Sequence, residues 1–136
     1  MPTEFTVRHL VQFSETDMAG IVHFSNYFRW MEEVEHAFLR SLGMSVSMRH
    51  EGKHIGWPRV STSCDFFGPV RFEDEVDLKI RVTKVGEKSL SYEVEYAVNG
   101  RQVALGTTTS VCCVFEELGK MKSIPIPEEI RAKLNG

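Results

Sequence analysis

The sequence predicts an α+β chain in which one long helix meets about five mostly antiparallel strands. Residues 5–13, 75–85 and 89–98 alternate apolar and polar side chains, the period of two expected of a half-buried strand. Residues 26–42 instead recur at three and four, with Phe28, Met31, Val34, Phe38, Leu39 and Leu42 on one helical stripe. Asn99-Gly100 is the strongest short hairpin signal in the chain. One long helix cannot supply a crossover for every strand, so parallel pairing throughout is excluded.

Each element has its own reason. In the first strand Phe5, Val7, His9, Val11 and Phe13 face one way, with Leu10 the exception. Residues 14–24 break the pattern with small and polar side chains around Gly20 and read as a loop. Ser25 or Asn26 is placed to cap the helix, Glu32, Glu33, Glu35 and Arg40 take its polar side, and Gly43 stops it. Residues 44–53 carry no clear period. Residues 55–67 form a strand candidate broken near Pro58 and closed by Gly68-Pro69. Val76, Leu78, Ile80 and Val82 share a face, Gly86-Glu87 turns, and Leu90, Tyr92, Val94 and Tyr96 share the next face. Residues 101–115 read as one long final strand, and 125–134 as a short helix behind two prolines.

The chain has 136 residues, of which 42% are hydrophobic and 26% charged, the balance of a single globular domain spanning 1–136. A net charge of −3 excludes the basic excess of a nucleic-acid binder. The longest apolar run, Val111 to Phe115, is far too short to cross a membrane, and the first eight residues lack a leader's basic start and apolar stretch. Cys64, Cys112 and Cys113 form no C-x-x-C, so all three read as reduced packed thiols. A reducing cytoplasm is the expected location. The five histidines show no i, i+4 helical pair, so no metal is expected.

One loop holds the chemistry. Residues 15–27 carry a small carboxylate, Asp17, a glycine, Gly20, and then run directly into a helix start. A helix N-terminus offers unpaired N–H groups to a developing oxyanion. Tyr27, Phe28 and Arg29 place no acid there, which leaves that positive end available. A carboxylate just before it can attack a polarised carbonyl or activate water. The alternative is that Asp17 ties the loop through backbone N–H groups.

The run Asp17-Met18-Ala19-Gly20-Ile21-Val22-His23-Phe24-Ser25-Asn26-Tyr27 resembles the signature of the 4-hydroxybenzoyl-CoA thioesterase family, D-x-x-G-[IV]-V-[YH]-[FH]-x-[NS]-Y. Cys64-Asp65-Phe66, Phe72 to Val76 and Lys88-Ser89-Leu90 resemble weaker pieces of the same pattern in order. The resemblance implies a hotdog fold and hydrolysis of an acyl-CoA thioester without metal or redox cofactor. It implies a homodimer or homotetramer whose active site lies at the dimer interface. Asp17 would be nucleophile or general base, with His23, Tyr27 and the backbone between them on the carbonyl. Gly20, Phe24 and Asn26 of the signature would shape the substrate site, and Lys88 and Ser89 would hold the CoA nucleotide; Trp57, outside the matched pieces, is a further aromatic candidate for the acyl pocket wall. Two positions depart from the family. His23 stands where many members have tyrosine, and Gly86-Glu87 where near relatives place arginines, with Lys84 as the available substitute.

Other functions predict other features. An acyl-carrier-protein thioesterase needs a basic docking patch, for which Arg49, Lys53 and Arg59 are the candidates. A hotdog dehydratase carries Asp and His one residue closer than Asp17 and His23. A non-catalytic acyl-CoA binding module has no use for a carboxylate at Asp17. His54 could reach the interface, while Asp65 and Asp74 read as strand-end polar positions.

Overall fold

A computed structural model of the chain describes residues 4–136. Residues 1–3, the start of the stretch read for a leader, lie outside the described residues. The chain runs β1 (Glu4–Leu10), α1 (Ser25–Ser41), β2 (Met48–His50), β3 (Lys53–Gly56), β4 (Arg59–Phe66), β5 (Glu75–Val85), β6 (Ser89–Val98), β7 (Arg101–Val111), β8 (Cys113–Phe115), β9 (Met121–Ser123) and α2 (Glu128–Leu134). Five strands form one antiparallel sheet in the order β1-β5-β6-β7-β4. The alternating residues of β5 and β6 bury the side the sequence assigned them, and Leu78, Ile80, Val94 and Tyr96 are fully enclosed. Asn99 and Gly100 take φ of 50° and 77°, the two left-handed positions of a tight hairpin turn.

The longer helix packs its stripe against this sheet. Phe38 meets Phe5 of β1 and Tyr92 of β6, with ring centroids 6.5 and 6.0 Å apart. A Cβ on Gly106 of β7 would lie 2.5 Å from Met31 Cε, so glycine permits the close approach of α1 there. Tyr96 donates its buried hydroxyl to the Tyr27 carbonyl at 2.7 Å. Each large side chain enclosed along this seam stabilises the fold by about 1.5–3 kcal/mol. At the helix end, Gly43 at φ 79° donates to Arg40 and Met44 donates to Leu39, which closes the last turn.

Three expectations need correction. Residues 5–13 are not one strand, because Glu15 Oε1 takes the Gln12 N–H at 2.8 Å and winds 13–15 into a 3-10 turn, leaving Phe13 exposed. Neither Ser25 nor Asn26 caps α1 through its side chain. The break expected near Pro58 is present and separates β3 from β4, whereas 101–115, read as one strand, divide at Cys112 into β7 and β8. The short pieces pair into a second, four-stranded sheet, β2-β3-β8-β9, which takes in part of the unassigned 44–53 segment. The tail helix α2 buries Ile130 and Leu134, and Arg131 donates to the carbonyls of Val85, Gly86 and Glu87, fastening the β5–β6 turn. The three cysteines are free, Cys112 and Cys113 buried and Cys64 half-buried.

Candidate active site

The Asp17 loop is a pinned hairpin. Thr16 and Val22 form an antiparallel bridge, Asp17 N–H donates to the Ile21 carbonyl at 3.0 Å, and Gly20 N–H donates back to Asp17 at 2.9 Å. Gly20 takes φ 79°, where a side chain is strained although a Cβ would meet nothing within 4 Å. The Asp17 carboxylate is exposed and half committed. Its Oδ1 accepts the Ala19 N–H at 2.8 Å, while Oδ2 has no donor among the described residues.

Among the N–H groups entering α1, one donor is left open. His23 N–H goes to the Glu15 carbonyl at 2.9 Å, Asn26 N–H to His23 at 3.0 Å, and Tyr27 N–H to Phe24 at 3.2 Å. Ser25 N–H goes to His23 Nδ1 at 3.3 Å. Only the Phe24 N–H of this run has no acceptor among the described residues, and the first helical turn carries no acid. The positive end of α1 is therefore concentrated on one open amide.

Two clefts meet at Asp17. An apolar cleft of about 470 Å³ is walled by Ile21, Val22, Phe24, Tyr27 and Phe66. A polar cleft of about 520 Å³ is lined by Glu15, His23, Ser25, Asn26 and Arg29, with Asp17 on both. Tyr27 packs edge-on to Phe66 at 4.8 Å, and burial, with nearby Cys64 second, pushes its phenol up to about 12. It is a wall group that stays protonated. The His23 ring accepts the Ser25 N–H at Nδ1 and lies 2.8 Å from Ser25 Oγ, so its imidazole serves as the helix cap that neither Ser25 nor Asn26 supplies. Asn26 Nδ2 ties the loop to the helix by donating to the carbonyls of Glu15 and His23.

The fold does not bring every candidate to this point. Lys88 and Ser89 follow the far end of β5, whose 11 residues span about 35 Å at roughly 3.3 Å each. The Asp17 loop lies by its start, where Leu10 pairs with Glu75. Trp57 is likewise at the opposite end of β4 from Phe66, and its buried Nε1 has no acceptor among the described residues. Arg59 is paired with Glu35 at 2.6 Å and lies 3.5 Å from Glu32, so its charge is balanced within the chain and not left open beside Arg49 and Lys53. His54 packs on Phe115, and Asp74 accepts the Arg71 N–H within a turn. No group of three potential metal ligands occurs among the described residues. No helix among them is long and apolar enough to cross a membrane.

One anchored carboxylate beside the Asp17 loop escaped the sequence reading. Glu15 Oε1 lies 2.9 Å from His9 Nε2, and Oε2 accepts the Trp30 Nε1–H at 2.7 Å. The three residues are 6 and 15 positions apart and meet only when β1, the loop and α1 pack. The one available signal was a glutamate three residues after Gln12, the N-cap to N3 spacing of a capping box without its usual Ser or Thr.

The antiparallel sheet packed on one long helix is an architecture shared with solved thioester hydrolases. Residues 11–134 match the thioesterase-like superfamily, and the chain belongs to that family of hotdog-fold proteins. It is 33% identical over 122 residues to a protein of Aquifex aeolicus whose name assigns it only to the esterases, covering 89% of this chain and 91% of that one. It is 25% identical over 128 residues to the acyl-CoA thioesterase YbgC of Haemophilus influenzae, covering 94% and 90%. Among solved structures, a gentisyl-coenzyme A thioesterase superposes with a TM-score of 0.82 at 31% identity, over 96% of this chain and 99% of that one. The chain is a thioester hydrolase.

Proposed function

We propose that the protein hydrolyses an acyl-CoA thioester to a free acid and CoA, with Asp17 as the reacting carboxylate. The observation that carries this reading is the position of Asp17. It holds one uncommitted oxygen and lines both an apolar and a polar cleft, the apolar one shared with Phe24, whose N–H is open. The Phe24 amide polarises the thioester carbonyl. Asp17 either takes a proton from water, which adds to the carbonyl carbon, or adds itself to give an anhydride that water then opens. In both routes the C–S bond breaks, its electrons leave with sulfur, and the proton released from water ends on the CoA thiol. His23 orders the helix start, and the Tyr27 and Phe66 rings suit a flat aromatic acyl group. That choice fits the 4-hydroxybenzoyl-CoA subfamily, and the gentisyl and dihydroxynaphthoyl groups in the names of relatives support it.

A homodimer completes the site on this reading. Among the described residues β4 pairs with β7 alone, and Val60 and Phe66 of β4 and the following Phe67 are 63%, 47% and 58% exposed. An unpaired strand edge with exposed apolar side chains near both ends is open to a partner strand. Two-fold antiparallel pairing of β4 with its copy sets the Arg59 end of one chain against the Phe66 end of the other. Arg59 pairs with Ser110, and Cys112 N–H donates to Lys88 at 2.7 Å, so Lys88 and Ser89 travel with that end. The partner subunit then supplies the CoA-nucleotide contacts that one protomer cannot.

The test is release of free thiol from a panel of aromatic and aliphatic acyl-CoAs, with the product acid checked by mass. Aromatic acyl-CoAs are expected to give the highest kcat/KM. Hydrolysis confined to acyl groups on a carrier protein, or to none of the panel, refutes the assignment.

A further inference from the structure

Two carboxylates share the polar cleft, and their surroundings differ. Asp17 has one oxygen without a donor, whereas both Glu15 oxygens are saturated. Glu15 Oε1 takes the Gln12 N–H at 2.8 Å and faces His9 Nε2 at 2.9 Å, and Oε2 takes the Trp30 indole N–H at 2.7 Å. The Glu15 side chain is only 15% exposed. A carboxylate whose lone pairs are occupied is a poor base and a poor nucleophile, but a strong anchor. The His9 ring is held from its other side as well, with Nδ1 3.0 Å from Glu33 of α1. The anchor therefore joins β1, the loop and two turns of α1.

Glu15 also controls what lies on either side of it. Its carbonyl accepts both the His23 N–H at 2.9 Å and Asn26 Nδ2 at 2.9 Å. Those bonds fix the chain immediately before the open Phe24 amide. Two residues beyond Glu15 is Asp17, on the other arm of the hairpin closed by Thr16 and Val22. Glu15, held through its side chain by Gln12, His9 and Trp30 and bonded through its carbonyl to His23 and Asn26, thus ties the arm that carries Asp17 to the chain that carries the Phe24 amide. We infer that Glu15 is a positioning residue for thioester hydrolysis, acting through its bond to Trp30 to hold Asp17 and the Phe24 N–H in register. The inference rests on the assignment of Asp17 as the reacting group.

The experiment compares four purified variants with the parent enzyme: Glu15→Gln, Trp30→Phe, the double variant, and Asp17→Asn. Phenylalanine keeps most of the Trp30 volume and removes only the indole donor. Glutamine keeps the size of Glu15, but opposes its amide donors to those of Gln12, His9 or Trp30. A shift of about 1 Å between reacting groups costs on the order of a hundredfold in rate. The expected result is a tenfold to hundredfold fall in kcat for each single variant, with KM within about twofold. The double variant is expected to lose no more than the worse single, because both cut the same link. Independent, multiplying losses, or a kcat within twofold of the parent in folded Glu15→Gln and Trp30→Phe, overturn the inference. Should Glu15→Gln fail to fold, Trp30→Phe decides alone by its kcat and KM. If Asp17→Asn retains full turnover, the underlying assignment fails instead, and the two failures are told apart.

Discussion

Asp17→Asn separates the two jobs open to this side chain. The loop tie uses Oδ1, which accepts the Ala19 N–H at 2.8 Å, and asparagine keeps an acceptor at that position. The backbone bonds of the hairpin, Asp17 to Ile21 and Gly20 to Asp17, do not involve the side chain. The structural cost of the substitution is therefore small, about 0.5 kcal/mol or less, as for exposed changes that keep their partners. The chemical cost is large. An amide neither attacks a thioester nor takes a proton from water, and removing such a group lowers kcat by about a thousandfold or more. Asp17→Ala adds loss of the tie, about 1 kcal/mol, with a fall of about 3–5 °C in Tm. Thiol release under saturating substrate gives kcat, and differential scanning calorimetry gives Tm. A folded Asp17→Asn protein with turnover within a fewfold of the parent, and a lowered Tm instead, would leave Asp17 as a loop tie and refute the reasoning.

Phe24→Pro removes the open amide while matching the backbone already present, since Phe24 sits at φ −57°. It is expected to lower kcat by about a hundredfold or more beyond Phe24→Ala, which controls for the ring. Arg59→Ala strands Glu35, which is 4% exposed, and should cost about 3–5 kcal/mol by denaturant titration. Replacing both partners by leucine should recover most of that loss. Glu15 gives the acid side of the stability curve. Burial, the largest single effect, raises its pKa, but the bonds from Gln12, His9 and Trp30 outweigh it and leave the group below its ordinary value. A depressed carboxyl adds stability above its unfolded value and loses it as pH falls through the folded one. The parent protein should therefore lose more Tm than Glu15→Gln between about pH 6 and pH 3.

Long periodic segments were legible because period is a local property. The buried alternation of Val76, Leu78 and Ile80, the Asn99-Gly100 turn and the Gly43 helix stop all follow from residues a few positions apart. The second sheet was not legible, since β2, β8 and β9 are three residues each and too short to show a period. The Asp17 loop could be read as a motif. The His9–Glu15–Trp30 anchor could not, because it exists only after β1 and α1 pack. Lys88 and Ser89 illustrate the converse. They are motif positions that the fold carries to the far end of β5, away from the Asp17 loop.

The free edge of β4 has a genetic consequence. If each site takes its carboxylate from one chain and its nucleotide contacts from the other, two differently damaged subunits can repair each other. Coexpressed Asp17→Asn and Lys88→Ala chains would form mixed dimers in which one site carries both defects and the other carries none. Random pairing makes half the dimers mixed, so roughly a quarter of all sites would be intact, with parental KM. Two alleles that each fail alone would then complement in one cell, and the complementation would vanish if β4 were altered so that the chains no longer exchange.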